Sequence, residues 1–380
     1  MHVVESLDVG GLERVVLSLA RWQSAQGHQV RIVCLFHAGA LAAEAQAQGL
    51  PVSVAHKSAG LDFKALGRLR GLLAGAPIDV LHTHNAVAHY YAAAAAIGLG
   101  VGRIVNTRHG MGPSGGGGRL RQLYRLALAG TASVAAVCRA ARDEFVRTAT
   151  VPAAKLAVVP NGVAVDRIEA RTEAARQALL AELGRPADTL VVGTVGRLNP
   201  VKDHATLLAA LRTVRASGRE VDLVIVGDGE TRAAIERRVQ ELGLGEAVHL
   251  LGMRADVPRL LAAMDVFALP SLSEGYSLAL VEASAAALPI VATRVGGNAE
   301  IVADATTGLL TEAGDAAGMA AALVRLADDA PMRARLGAAG RAWALRHGSI
   351  DAMGQAYGRL YQALPAAQDH PGAAPARSEP

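Results

Sequence analysis

Short β-branched, apolar runs alternate with longer helix-periodic segments from one end of this 380-residue chain to the other. That alternation is the pattern of βαβ units, in which each parallel strand is followed by a crossover helix that covers the sheet. Runs at 2–6, 30–36, 52–55, 80–82, 104–107, 134–137 and 156–159 predict strands in the first half, and 190–195, 223–226, 248–250, 266–269, 290–293 and 308–310 in the second. Pro160-Asn161-Gly162 between the two sets is a turn signal, and 166–188 carries helical pattern without a strand. The expectation is therefore an α/β chain of two doubly wound Rossmann-like domains facing across a cleft. The first spans 1–165 and the second 189–345, joined by a linker at 166–188. A helix at 346–365 crosses back to the first domain, and a disordered tail, rich in Pro and Ala, occupies 366–380.

Composition narrows the function classes. Aromatic residues are 3% of the chain, so the core must be built from Ala, Val and Leu, which suits helices layered on parallel sheets. A formal charge of +4 fits neither a strongly basic nucleic-acid binder nor an acidic tail, and no nucleic-acid partner is expected. Cys34 and Cys138 lie in apolar runs and read as buried thiols of a reducing compartment. MHVVESLD lacks the basic and apolar regions of a signal peptide, and the apolar run 90–102 is too short to span a bilayer. A soluble, cytoplasmic protein follows as the expectation.

Two segments carry chemistry. Gly196-Arg197-Leu198-Asn199-Pro200-Val201-Lys202-Asp203 links a strand to a helix. A glycine turn, two cations and a helix N-terminus suit a phosphate. Taken alone, the segment reads equally well as a solvated surface loop. Only four of the 38 basic residues are lysines, at positions 57, 64, 155 and 202. Codon bias explains the shortage, yet it makes Lys202 worth singling out. Ser273-Glu274-Gly275-Tyr276-Ser277-Leu278 again joins strand to helix, with Glu282 about two turns further on. Glu274 and Glu282 can point into one cleft and accept paired hydrogen bonds from vicinal diols, while the N–H groups of Ser277 and Leu278 can hold a phosphate oxygen. An ordinary surface glutamate is the plain alternative for Glu282.

The order of these segments resembles the retaining glycosyltransferase family 4, whose fold is the two-domain GT-B arrangement. The likeness rests on Arg197 and Lys202, on Glu274 and Glu282 with seven residues between them, and on Gly296-Gly297-Asn298-Ala299-Glu300. Gly10-Gly11, Thr107-Arg108-His109-Gly110 and Pro160-Asn161-Gly162-Val163 also agree, and together these pieces cover about the first 360 residues. The resemblance implies transfer of a sugar from a nucleotide diphosphate sugar to a saccharide or lipid-linked saccharide, as in surface polysaccharide assembly. Arg197 and Lys202 would stabilise the leaving diphosphate, Glu274 would hold the transferred sugar, and Glu282 the ribose. Gly10, Gly11 and Gly196 would let backbone approach the donor, His109 would lie near the sugar, and His84 on the acceptor side. No metal and no cofactor beyond the donor are expected. The sequence departs from the family at Asp203 and Ser277, where glycine is common, and its first strand starts almost at Met1.

The residues also allow other readings. A nucleotide-sugar epimerase of the same fold needs acid and base groups beside the sugar and no acceptor; a non-catalytic nucleotide-sugar-binding protein would not need both cations and both glutamates. Neither GTVGR nor IVGDGE completes a dinucleotide fingerprint. His82, His84 and His89 have spacing that invites zinc, but no fourth ligand is nearby. The glycine-rich stretch 111–118 reads as a mobile acceptor loop or a plain surface loop. In the helix that follows, Leu120, Leu123, Tyr124 and Leu128 share a face beside Arg119, Arg121 and Arg125, which suits either core packing or peripheral docking on an anionic membrane.

Overall fold

The computed structural model describes residues 1–111 and 118–362. The glycine-rich residues 112–117 and the tail at 366–380 lie outside the described residues. The first sheet comprises β1 (His2–Val4), β2 (Ile32–Cys34), β3 (Val52–Val54), β4 (Val80–His84), β5 (Arg103–Arg108), β6 (Ser133–Ala136) and β7 (Leu156–Val158). The second comprises β8 (Leu190–Val195), β9 (Val221–Val226), β10 (Val248–Gly252), β11 (Val266–Leu269), β12 (Ile290–Thr293) and β13 (Gly308–Thr311). Each strand overlaps a run singled out in the sequence.

The strand orders are β3-β2-β1-β4-β5-β6-β7 and β10-β9-β8-β11-β12-β13, with every pairing parallel. In each sheet the chain winds outward from its first strand in both directions. That reversal opens a crevice beyond the carboxyl ends of β1 and β4, and of β8 and β11. Helices cover both faces, so central strands are largely buried; all six residues of β9 are buried, including Asp222, which is paired with Arg185 and Arg215.

The segment expected as a linker is fastened to the second domain. Its helix Glu173–Glu182 and the residues just before it bring Arg171 Nη2 to 2.6 Å and Arg176 Nε to 3.0 Å from the two carboxylate oxygens of buried Asp265. The Val191 N–H also donates to Asp265, at 2.8 Å, so all three groups leave the buried carboxylate fully paired. The returning helix runs Ile350–Gln362 and packs on the first-domain helix Gly11–Ala25. Trp22 Nε1 donates to Asp351 Oδ1 at 2.6 Å, and Gly354 lies under the Trp22 ring, where a β-carbon would collide with it. Met353 and Tyr357 complete a small core with Val15, Leu19, Ala135 and Val159.

Candidate active site

On the second-domain side, β8 ends at Val195 and the chain turns through Gly196 to a short helical turn, Pro200–Lys202. The side chain of Asn199 accepts from the Lys202 N–H at 3.2 Å and fixes that turn. Asp203 follows with φ +44°, a left-handed conformation that Asp tolerates better than most non-glycine residues. That backbone explains why glycine is common there, and Asp203 also caps the next helix by accepting from the Thr206 N–H at 3.4 Å, with Thr206 Oγ1 donating to its other oxygen at 2.6 Å. Lys202 Nζ lies 2.6 Å from Glu274 Oε1, and Ser271 Oγ donates to the same oxygen at 2.6 Å. The two motif residues, far apart in sequence, are thus one ion pair, with side chains 19% and 12% exposed. Ser277 caps the helix Leu278–Ala285, its Oγ accepting from the Leu280 N–H at 3.4 Å.

The first domain closes on this pair. Gly10 caps the helix Gly11–Ala25, and Arg197 Nη2 crosses the cleft to donate to Val9 O at 3.4 Å. A β-carbon on Gly10 would collide with the Glu13 carboxylate, and one on Gly11 would touch Leu278 Cδ1 at 3.5 Å. Sequence reasoning did not single out Glu13; its place in the first turn after Gly10, where a carboxylate suits the helix N-terminus, was the available signal. Burial raises the Glu13 carboxyl above its usual range, and Arg197 opposes the shift.

His109 follows β5, and its N–H donates to Asn85 Oδ1 at 3.2 Å. A β-carbon on Gly275 would lie 2.5 Å from His109 O, and one on Gly297 would lie 3.0 Å from Cys138 Cβ. Glycine at these positions therefore lets loops of the two domains touch. Glu300 has an interdomain role: its Oε1 accepts from the Ala140 N–H of the first domain at 3.1 Å.

His84 is buried, with Nδ1 3.0 Å from His109 Nε2 and Nε2 3.1 Å from His2 Nδ1. It stands behind His109, bonded to that ring rather than open to the cleft. The histidine trio that could hold a metal is also different from the one read in sequence. His89 bonds Thr83 and Thr131, whereas His2, His82 and His84 bring ring nitrogens within 4.8 Å of one another. Each ring nitrogen of that trio already has a hydrogen-bond partner.

Glu282 lines a cleft of about 160 Å³ with Arg14, Ser18, Leu278 and Gly162. Burial pushes its carboxyl up to about 7, and Arg14 opposes the shift. In the helix Gly118–Ala127 and just beyond it, Tyr124 and Leu128 are buried and Leu120 and Leu123 pack against the core, while Arg119, Arg121 and Arg125 are exposed. The apolar face of that helix is core.

Two family models account for most of the chain: Glycosyltransferase Family 4 matches residues 9–167, and Glycosyl transferases group 1 matches residues 175–343. An Escherichia coli relative, UDP-Gal:alpha-D-GlcNAc-diphosphoundecaprenol alpha-1,3-galactosyltransferase, is 32% identical over 70% of this chain and 71% of its own length. The chain belongs to the group 1 glycosyltransferases. The D-inositol 3-phosphate glycosyltransferase of Stackebrandtia nassauensis is 37% identical over 55% of the chain and 49% of its own length, so the chain spans about half of that relative. The crystal structure of Anabaena Alr3699/HepE in complex with UDP superposes with a TM-score of 0.85 at 22% identity, covering 96% of this chain and 99% of that one, and shows the shared fold. Among the described residues of this glycosyltransferase, no helix is long and apolar enough to cross a membrane.

The raised carboxyl of Glu282 has a consequence for stability. A group whose folded pKa lies above its unfolded value costs stability as pH rises from the unfolded value through the folded one, here up to about 7. Glu282→Gln should therefore melt a few degrees higher than wild type at pH 8 and show little difference at pH 4. Thermal unfolding across this range checks it, and a difference that does not change with pH contradicts it.

Proposed function

We propose that this glycosyltransferase moves a sugar from a nucleotide diphosphate sugar, with the anomeric configuration kept, to a hydroxyl of a free or lipid-linked saccharide in glycoconjugate biosynthesis. A UDP-sugar is the first candidate donor, because the Escherichia coli relative is named for UDP-Gal. The observation that carries the reading is the Lys202–Glu274 pair at the carboxyl end of the second sheet, with Arg197 reaching across the cleft to the Gly10 loop. Diphosphate at this place would meet both cations and the N–H groups that open the helices after Gly10 and Ser277.

In this reading the C1–O bond to the diphosphate breaks while Arg197 and Lys202 neutralise the charge that grows on the leaving oxygen. The acceptor hydroxyl attacks C1 from the same face, and its proton passes to the departing phosphate oxygen. Glu274 holds hydroxyls of the transferred sugar, and Glu282 takes the ribose diol. No carboxylate serves as nucleophile, unlike the paired acids of retaining glycosidases. The two side-chain cations supply the charge a divalent ion would otherwise bring, so transfer is proposed to be metal-independent and to survive chelator. The relatives reported above are named as glycosyltransferases, which favours transfer over the epimerase and non-catalytic alternatives.

Lys202→Ala and Glu274→Ala should each lower kcat by about 100-fold or more while circular dichroism shows an intact fold. Wild-type turnover in either folded variant would refute the assignment. With the apolar face of the Gly118–Ala127 helix buried, contact with a membrane-borne acceptor would run through Arg119, Arg121, Arg125 and the 73% exposed Leu126. Salt-sensitive co-sedimentation with anionic liposomes is the expected result for that contact, and its absence would remove the membrane from the proposal.

A further inference from the structure

Behind His109 runs a continuous hydrogen-bonded chain that transfer chemistry does not itself require. His109 Nε2 is 3.0 Å from His84 Nδ1, His84 Nε2 is 3.1 Å from His2 Nδ1, and His2 Nε2 is 2.7 Å from Gln23 Oε1. Gln23 sits on the Gly11–Ala25 helix, and its amide Nε2 donates to Tyr361 OH at 3.0 Å on the returning helix. Tyr361 OH is in turn 2.8 Å from His82 Nδ1, and His82 Nε2 is 2.7 Å from Thr107 Oγ1.

The donor and acceptor roles along this chain follow from one group. An amide oxygen can only accept, so His2 Nε2 carries its proton. Burial holds His2 and His109 at about 3 and His84 well below the usual imidazole range, so all three rings are neutral, with one N–H each. His2 Nδ1 is therefore a lone pair and must receive His84 Nε2–H. His84 Nδ1 is then a lone pair and must receive His109 Nε2–H. The remaining ring atom, His109 Nδ1, is left as a lone pair, and it is a buried atom with no hydrogen-bond partner. A buried acceptor without a partner asks for a donor, and hydroxyl groups are what a sugar supplies.

We propose that Gln23 and His2 are positioning residues that set the tautomer of His109, so that Nδ1 accepts a hydrogen bond from a hydroxyl of the transferred sugar. The inference rests on the proposed placement of His109 beside that sugar, but the tautomer can be read without any ligand. The full chain labelled with 15N-histidine, with His109 assigned by its loss in His109→Gln, should show a protonated Nε2 and a bare Nδ1. Gln23→Glu keeps an acceptor oxygen toward His2 and should retain this signature. Gln23→Met removes the oxygen and should give mixed tautomers at His109, with kcat/KM for the donor lowered about fivefold, the scale of one lost hydrogen bond. A protonated Nδ1 in wild type, or an unchanged His109 spectrum in a folded Gln23→Met variant, would overturn the proposal. A shifted tautomer with unchanged kcat/KM would overturn the sugar-facing role of Nδ1, whereas a wild-type chain that transfers no sugar at all would instead defeat the reading on which it rests.

Discussion

Gly275 has no side chain, and for that reason the loop carrying Glu274 can lie against the backbone carbonyl of His109. Gly297 allows the same closeness to Cys138, and Glu300 fastens the contact by accepting from the Ala140 N–H. These contacts set how far apart the two sheets stand, and therefore where the Lys202–Glu274 pair faces the first domain. Across the same cleft, Arg197 bonds Val9 O beside the Gly10 cap. Side chains at the glycine positions would hold the loops apart and leave the cations and the histidine loop to act separately.

Behind each face of the cleft, buried polar groups hold its lining in place. Asp265 ties the connecting segment to the second domain through Arg171 and Arg176, so a single carboxylate decides that this segment is not free. The returning helix does the corresponding work for the first domain. It covers the Gly11–Ala25 helix, bonds Trp22 through Asp351, and supplies Tyr361 to the polar chain that ends at His109. The last described helix thus supports the first helix of the chain.

Much of this was legible in the residues themselves. Strand runs of Val, Ile and Leu bounded by Gly and Pro gave every strand, because burial on both faces leaves little room for other patterns. Arg197, Lys202, Glu274 and Glu282 stood out because short strand-loop-helix segments carry them in a family order. What stayed hidden depends on contacts between residues far apart in sequence. Nothing near Glu300 says that it will cap a helix of the other domain, and nothing near Gln23 says that its amide will meet His2 and Tyr361. His84 read as an acceptor-side residue because it ends a strand, yet its neighbours in space are two other histidines. Asp203 looked like a departure until its left-handed backbone showed why the position favours glycine and can take Asp.

On the proposed function, the cations at 197 and 202 form the diphosphate site of a donor held between the two sheets. Calorimetric titration of UDP into the wild-type chain and into the double variant Arg197→Ala, Lys202→Ala tests it most directly. Wild type should bind measurably, and the folded double variant should bind at least about 100-fold more weakly. Equal affinity in the two proteins would contradict it.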